Sequence, residues 1–228
     1  MSARVIPVLD YSNETKNKIM EAAIRLFAEK GFAAVPMRDV AKEVGITIAS
    51  IYYYYASKDA LLDDIFLFFE KGYRHYFEWL SKMNETAETL EQVMDNMFND
   101  EFTEMRNPIA CLSMSLAIKE QHKKESARKC VFDLFYVYSI ERLQADFDRL
   151  IEKGVIPFAD TKTIALLFMS CVMVTNEIRI HEYMGTKPPL DCREIYANMR
   201  KHLTASLTQG TQQPIKQRGK GLKIFGRS

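Results

Sequence analysis

The spacing of apolar residues along the chain predicts a protein built from helices. Beyond residue 59, large apolar residues recur at three- and four-residue steps, as in Leu62, Phe66, Phe69, Tyr73, Phe77 and Leu80. Such steps place side chains on one face of an α-helix. The sequence has no stretch of alternating apolar and polar residues that would indicate a strand. We therefore expect an all-α fold.

Glycines and prolines divide the chain into predicted helices, over residues 19–30, 37–44, 47–54, 59–82, 88–105, 108–119, 126–153, 159–184 and 190–207. The second and third are separated only by Gly45 and Ile46. Gly45 stands where the first of them must stop, a position that often needs positive φ. Thr47 can cap the next, because its hydroxyl can accept from a free backbone N–H. Residues 37–58 therefore predict a helix, a tight turn and a second helix.

The second helix of this pair has too many aromatic residues to bury them all. Ile51 and Tyr55 are spaced to face inward, but Tyr52, Tyr53 and Tyr54 are consecutive and cannot share one buried face. Some of them must stand in solvent or against a partner, and the second helix of a helix-turn-helix is the one that enters a DNA major groove. The alternative is an ordinary helical hairpin whose tyrosines pack on a neighbouring helix. Spacing alone does not decide between the two.

A longer series of residues resolves this choice by resemblance. The series comprises Ala22-Ala23, Leu26-Phe27, Gly31-Phe32, Arg38-Asp39-Val40-Ala41, Gly45-Ile46-Thr47, Ile51-Tyr52 and Ser57-Lys58. In this order the residues resemble the amino-terminal domain of the TetR family of bacterial repressors, over roughly residues 18–62. The resemblance implies a three-helix DNA-binding domain at residues 12–60 and a helical ligand-binding and dimerisation domain at 61–208; the composition of residues 209–228 sets them apart as a tail.

The resemblance also implies roles for individual residues near the turn. Tyr52 and Lys58 match positions that hold DNA phosphates, and Arg38 matches one that can reach the DNA. The remaining expected contacts, in the groove or to the backbone, are Thr47, Ile48, Ala49, Tyr53 and Tyr54. Ile48 and Ala49 depart from the family, which commonly has a polar or basic residue and a glycine there. Because neither residue can hydrogen-bond a base edge, we expect recognition to depend on thymine methyl contacts and DNA shape. Val35 stands where the family usually has a threonine cap, which weakens the start of the helix predicted over residues 37–44.

Methionine and aromatic residues dominate the predicted interior of the larger domain. At helical spacing such residues usually form plain core, but the resemblance implies a bundle that encloses an effector cavity. Methionine would let such a cavity adapt to small lipophilic ligands. The expected ligand-binding residues are Phe69, Tyr73, Met97, Phe98, Met114, Phe135, Met173 and Glu177.

The last two folded helices carry apolar faces suited to pairing between subunits. These faces comprise Ile164, Leu167, Phe168, Cys171, Val172 and Thr175 on one helix and Ile195, Met199, His202 and Leu203 on the other. Two such pairs can form a four-helix bundle, and the resemblance implies the same homodimer. A twofold dimer would bind a near-palindromic double-stranded DNA operator.

Charge, cysteine and histidine content bear on how the chain could bind DNA and on whether it could be an enzyme. The formal net charge of the 228-residue chain is only +1, so any affinity for DNA must come from local contacts and from dimerisation. The four cysteines have no metal-ligand spacing; we interpret them as small hydrophobes of a reduced protein, with a redox-sensing pair as the alternative. The four histidines show no motif linking them to a nucleophile or a metal, and no glycine loop cradles phosphate. We expect neither an enzyme nor a bound cofactor.

Location and the tail complete the expectations. The longest apolar run, residues 164–174, is too short to span a bilayer, which predicts a cytoplasmic protein that does not bind membranes. From Gln209 the chain becomes polar and basic, which is typical of a disordered tail; an electrostatic clamp on DNA or on anionic lipid is the alternative. The leading hypothesis is a ligand-responsive dimeric repressor. The alternative is a helical small-molecule binding or scaffold protein that does not read DNA.

Overall fold

The computed structural model describes residues 13–98, 108–157, 159–188 and 190–209. These residues form helices and no strand, so the predicted all-α fold is confirmed. The helices are α1 (Glu14–Lys30), α2 (Met37–Val44), α3 (Ile48–Tyr54), α4 (Lys58–Glu85), α5 (Leu90–Phe98), α6 (Pro108–Glu120), α7 (Glu125–Lys129), α8 (Ser139–Glu152), α9 (Thr161–Tyr183) and α10 (Cys192–Gln209). The basic tail after Gln209, for which two roles were weighed, lies outside the described residues.

Helices α1 to α3 pack around a small apolar core at the amino-terminal end. Asn13 caps α1, its side-chain oxygen accepting from the backbone N–H of Lys16 at 3.0 Å. Ile19, Ala23 and Phe27 of α1 are fully buried, because their four-residue spacing places them on one face. The helix ends at Gly31, whose φ of 87° lies in the region that favours glycine.

Helix α4 joins this amino-terminal region to the body. Ser57 caps it by accepting from the backbone N–H of Ala60 at 3.0 Å. The helix then runs 28 residues without a break and crosses the predicted boundary between residues 60 and 61. Its apolar stripe, including Leu62, Phe69 and Leu80, is buried as predicted. A displacement of α4 in the body would therefore reach the amino-terminal helices directly.

The segment predicted as one helix over residues 126–153 is less regular. Between α7 and α8, residues Cys130–Tyr138 form a π-helix. Its inner side buries Val131, Leu134 and Phe135, and the Ser139 hydroxyl donates to the Leu134 carbonyl five residues earlier, at 2.8 Å. The wider turn thus keeps a buried apolar face, and the Leu134 carbonyl accepts from both the backbone N–H and the hydroxyl of Ser139.

Helix α9 contains the apolar run that was expected to be too short to span a bilayer. The helix as a whole, 23 residues, is long and apolar enough to cross a membrane by length and composition. More than half of its most apolar window is nevertheless buried inside the protein. It packs against α6, α8 and α10, which explains its composition as that of a core helix.

All four cysteines are free. Cys111, Cys130 and Cys192 are buried and Cys171 is half-buried. Burial raises the pKa of Cys111 to about 11 and that of Cys130 to about 12. Both therefore remain neutral thiols at physiological pH, which supports their interpretation as small hydrophobes.

Candidate DNA-binding surface

The turn between α2 and α3 is built as the sequence predicted. Gly45 adopts φ 77° and ψ 30°, the left-handed conformation. Its backbone N–H donates to the carbonyl of Lys42 at 3.2 Å, and that of Ile46 donates to the carbonyl of Ala41 at 3.0 Å. These two bonds satisfy carbonyls at the end of α2 in the manner of a Schellman motif. The turn is thereby fixed at three residues.

Thr47 begins α3, and its hydroxyl oxygen accepts from the backbone N–H of Ser50 at 3.1 Å. Its hydroxyl also lies 2.8 Å from that of Ser50. The predicted cap of α3 is confirmed, and these bonds occupy the side chain that was expected to contact DNA. Helix α2 has no comparable cap, because Pro36 rather than Val35 holds the capping position and makes no side-chain bond.

The inner face of α3 fixes which residues point outward. Ile51 is fully buried and Tyr55, which follows the helix, is almost so, as predicted, and both pack with Val40. The Tyr55 hydroxyl donates to Asp64 Oδ2 at 3.0 Å, and Lys16 Nζ lies 2.7 Å from the same oxygen. Burial, followed by the charge of Asp64, raises the pKa of Tyr55. The end of α3 is thus tied to both α4 and α1.

The outer face of α3 is a surface of exposed apolar and aromatic side chains. Tyr53 is 84% exposed and Ile48 is 47% exposed, and Ala49 and Tyr52 lie beside them in solvent. Tyr54 is half-buried, with its ring in edge contact with Tyr53 at 5.2 Å. Helix α3 has no acidic residue that would repel phosphate. Exposed large apolar groups on one short helix are typical of an interaction site.

Arg38 lies at the start of α2, with its side chain 78% exposed. Its Nε is 3.6 Å from a carboxylate oxygen of Asp39. A pair at this distance in solvent is weak, so the guanidinium remains available for another anion. Contact of Arg38 with DNA stays a prediction.

Lys58 was expected to hold a phosphate, and the structure gives its ammonium a different set of partners. Its Nζ donates to the carbonyls of Phe32 at 2.7 Å and Val35 at 3.0 Å, with the Ala33 carbonyl at 3.5 Å. It also lies 4.3 Å from the centre of the Phe32 ring. Lysine has three N–H donors, and here they face the loop between α1 and α2. In this arrangement Lys58 closes that loop rather than presenting its charge to a phosphate.

The expected ligand-binding residues fall into separate groups. Phe69, Tyr73 and Phe135 form one buried aromatic cluster, with ring centres 4.6 to 5.9 Å apart. Phe98 instead lies beside Phe168, 5.5 Å between ring centres. The sulfur-bearing members of the set are Met97 and Met114, both fully buried, and Met173, half-buried.

Glu177 corrects the expected ligand set. Its side chain is exposed on α9, because the helix turns its buried face toward Asn176 and Ile180 instead. A carboxylate in solvent does not anchor a ligand inside the bundle. The sequence pattern placed Glu177 on the helix but could not fix its orientation.

The structure also contains a surface cleft that none of these expected residues lines. It has a volume of about 590 Å³ and is bordered by Glu85, Thr86, Ala87, Glu88, Lys153 and Val155. Beside it, the Ser81 hydroxyl donates to buried Asp146 at 2.6 Å. The same hydroxyl oxygen of Ser81 accepts from Arg142 Nε at 2.8 Å. Burial raises the pKa of Asp146. These contacts join α4 to α8, and no local signal predicts them because Ser81 and Asp146 are 65 positions apart in the sequence.

The predicted dimer face also needs correction. Ile164, Phe168, Val172 and Thr175 of α9 and Met199 and Leu203 of α10 are buried within their own chain. Of the predicted α9 residues Leu167 remains 55% exposed, and the side of α9 left in solvent also carries Leu166 and Val174, which were not predicted. His202 remains exposed and Ile195 half-buried on α10. The expected face was displaced around the helix because both sides of α9 are apolar.

Together, the capped turn, the buried inner face and the exposed outer face form a helix-turn-helix domain attached to a helical body. Residues 19–65 match the family model described as bacterial regulatory proteins, tetR family. Over this part of the chain the protein is similar to the tetR family of bacterial regulatory proteins.

Curated relatives of this kind are similar to part of the chain. The HTH-type transcriptional repressor KstR2 of Mycobacterium tuberculosis is 30% identical over 86 residues, 36% of this chain and 40% of KstR2. The regulator IcaR of Staphylococcus aureus, named for negative control of a biofilm operon, is 35% identical over 68 residues, 30% of this chain and 33% of IcaR. The chain spans about two fifths or less of the length of the curated relatives that it matches first.

Similarity in fold extends through the body. The structure of GusR from Salmonella enterica superposes with a TM-score of 0.62 at 19% identity, covering 85% of this chain and 95% of GusR. The structure of PfmR from Thermus thermophilus gives a TM-score of 0.62 at 19% identity, covering 89% of this chain and 100% of PfmR. At such identity the comparison establishes the fold: a helix-turn-helix domain followed by a helical bundle.

Proposed function

We propose that this protein is a cytoplasmic, homodimeric transcriptional repressor that leaves its operator when a small lipophilic effector binds. Residues 12–60 read DNA, and residues 61–208 bind the effector and pair the subunits. One observation carries the proposal: α3 holds Ile48, Ala49, Tyr52 and Tyr53 in solvent while its other face is locked into the core. A folded domain has no packing reason to expose these groups together.

The chemistry of this surface favours duplex DNA as its partner. Ile48 and Ala49 can contact thymine methyl groups in the major groove, and tyrosine hydroxyls can reach phosphates. Arg38 adds a cation at the edge of the same surface. Specificity would then depend on methyl contacts and on DNA shape, as expected from the absence of polar base-reading residues at positions 48 and 49.

Pairing of two subunits supplies the second half of the site. The exposed apolar side of α9, with Leu166, Leu167 and Val174, offers the surface for a twofold contact. A dimer would present its two α3 helices to successive major grooves, about 34 Å apart. Each DNA-binding domain alone binds weakly because the net charge of the chain is low. Linking two of them in a dimer raises the affinity for DNA.

Contacts between the helical body and the DNA-binding domain, here called the head, can transmit the effect of a bound effector. Lys119 of α6 donates to the Ala28 carbonyl near the end of α1 at 3.2 Å. Lys124, just after α6, pairs with Asp59 in the first turn of α4 and lies 5.3 Å from the Phe32 ring. A ligand that prefers one position of α6 would therefore shift the population of head positions.

Selection of bound duplexes from a random DNA pool tests the proposal. Purified protein at near-physiological salt should enrich a near-palindromic motif with two half-sites about one helical turn apart. The matched control is Tyr53→Ala, which removes the most exposed residue of the surface. Folded, dimeric protein that enriches no motif would refute the repressor function and favour a helical small-molecule binding or scaffold protein.

A further inference from the structure

Arg179 of α9 is a buried cation that has no carboxylate partner among the described residues. Only 6% of the residue is exposed. Its guanidinium lies 5.2 Å from the centre of the Tyr196 ring. Among the residues that the structure describes, it takes part in no ion pair. Buried arginines are normally paired with a carboxylate, because an uncompensated charge is costly in an apolar interior.

Asn176 provides a second observation at the same place. It precedes Arg179 by three residues, so both side chains lie on one face of α9. Asn176 is 3% exposed, and its Nδ2 finds no hydrogen-bond acceptor in the described part of the chain. Buried amide groups are almost always satisfied. A buried amide with unused N–H bonds therefore lies next to a buried guanidinium.

Neutral side chains surround the pair. The Tyr196 hydroxyl lies 2.6 Å from that of Thr175, and the Cys192 thiol donates to the Thr175 carbonyl at 3.5 Å. The charge of Arg179 and its hydrogen bond to the Cys192 sulfur act to lower the pKa of that thiol, yet burial has the larger effect and raises it. At Cys111 burial likewise raises the pKa more than the charge of Arg179 and a hydrogen bond with Tyr183 lower it. The thiols therefore stay neutral and do not compensate the guanidinium. The site lies where α6, α9 and α10 meet.

The nearest acidic residues along α9 do not fill this role. Glu182 stands one turn after Arg179 and Glu177 two residues before it, and both side chains are exposed. Neither lies within ion-pair distance of a described cation. The site thus offers several N–H donors and a full positive charge, with no carboxylate from the described residues to accept them. Its chemical complement is an oxyanion, which can accept two parallel bonds from a guanidinium.

We propose that Arg179 and Asn176 bind an oxyanion group, a carboxylate or a phosphate, carried by the lipophilic effector. That the ligand is the effector rests on the proposed function. The anion site itself rests on the buried N–H donors. A purely structural Arg179 is the competing explanation. It predicts that removing the charge destabilises the protein, whereas an unmatched buried charge can be replaced by an apolar residue of similar volume at little or no cost.

Three ten-carbon probes separate these explanations: decanoate, decyl phosphate and the neutral decanol, each below its micelle concentration and at constant ionic strength. Dissociation constants are measured by calorimetry, and melting temperatures with and without probe. The full-length variants are Arg179→Met, Arg179→Lys and Asn176→Ala. Arg193→Gln is the matched control, because Arg193 lies near the site beside Cys192 but is exposed.

At least one anionic probe should bind the wild type and Arg193→Gln roughly ten to a hundredfold more tightly than decanol, as expected for charged hydrogen bonds. In Arg179→Met the preference should disappear, while its melting temperature without probe stays equal or rises. Arg179→Lys should keep part of the preference, since a point charge remains without the planar fork. Asn176→Ala should reduce the preference and serves as the test if Arg179→Met does not fold. The better of the two anions identifies the group as carboxylate or phosphate.

Equal binding of all three probes to the wild type would overturn the proposal, as would a preference that survives Arg179→Met. Failure of the random-pool selection to yield a DNA motif is a separate result. It would refute the repressor function, whereas the anion site would still be judged by the binding measurements.

Discussion

Lys58 provides the sharpest test, because its position in the structure and the role implied by family resemblance predict different results. In the structure its Nζ contacts the Phe32 and Val35 carbonyls at 2.7 and 3.0 Å and the Phe32 ring at 4.3 Å. These contacts hold the loop between α1 and α2 against the start of α4. The substitution Lys58→Met keeps most of the aliphatic stem and removes the ammonium. It therefore removes the loop contacts with little change in packing.

The magnitude follows from the partners that are lost. Hydrogen bonds from a charged donor contribute about 1.5–3 kcal/mol each and an exposed cation–π contact about 0.5–1 kcal/mol. Lys58 is half-exposed, so water would replace part of this interaction. We therefore expect a loss of about 2 kcal/mol in unfolding free energy after discounting for solvent. For a chain of this size that lowers the melting temperature by about 4–8 °C.

Two measurements on the same variant separate the roles: thermal unfolding, and DNA affinity as a function of salt concentration. A lysine that closes the loop should lower the melting temperature and weaken DNA binding through the position of α3, while leaving the slope of log affinity against log salt unchanged. A lysine that binds phosphate should reduce that slope by about 0.9 per subunit, or roughly 1.8 for the dimer. Lys42→Met is the control for stability, because Lys42 is exposed on α2. A reduced slope with an unchanged melting temperature would refute the reasoning from the structure.

Four further substitutions test other parts of the molecule. Tyr53→Ala should leave the melting temperature unchanged, since the residue is exposed, yet weaken operator binding roughly tenfold and alter base preference in a competition assay. Gly45→Ala should cost about 1–2 kcal/mol of unfolding free energy in denaturant titration, because φ is 77° and no atom clashes with a Cβ there. Leu167→Glu should convert the dimer to monomer in sedimentation analysis by placing a charge on the exposed side of α9. Burial raises the pKa of Asp146. Its stabilising contribution is therefore present below about pH 4 and is lost as the pH rises through the folded-state pKa. Asp146→Asn should flatten that part of the profile of melting temperature against pH.

Local signals in the sequence were sufficient for the helices and for the helix-turn-helix. Gly45, Thr47 and the spacing of Ile51 and Tyr55 act over a few residues, and each does in the structure what its chemistry predicts. The exposed tyrosines followed from simple geometry, since consecutive residues on a helix cannot share a face. Features fixed by nearest neighbours along the chain were therefore readable.

Features fixed by distant neighbours were not readable. Lys58 binds carbonyls 23 to 26 residues earlier, and Lys119 binds one 91 residues earlier. No periodicity encodes such pairs. The orientation of α9 was missed for a different reason: both sides of this helix are apolar, so its pattern does not distinguish the face that packs on α6 and α8 from the face left for a partner.

The same magnitudes indicate which contacts can transmit an effector signal. Moving a head from mostly bound to mostly released requires a differential of several kcal/mol, about 5.5 kcal/mol for a complete reversal of populations. The Lys124–Asp59 pair is largely exposed and contributes about 0–1 kcal/mol. The bond from the charged Lys119 to the Ala28 carbonyl adds about 1.5–3 kcal/mol before any discount for solvent. These two contacts alone are too weak. The apolar packing of α6 on α1, and the unbroken α4 that runs from head to body, must carry most of the coupling, since packed helices shift as units between discrete arrangements.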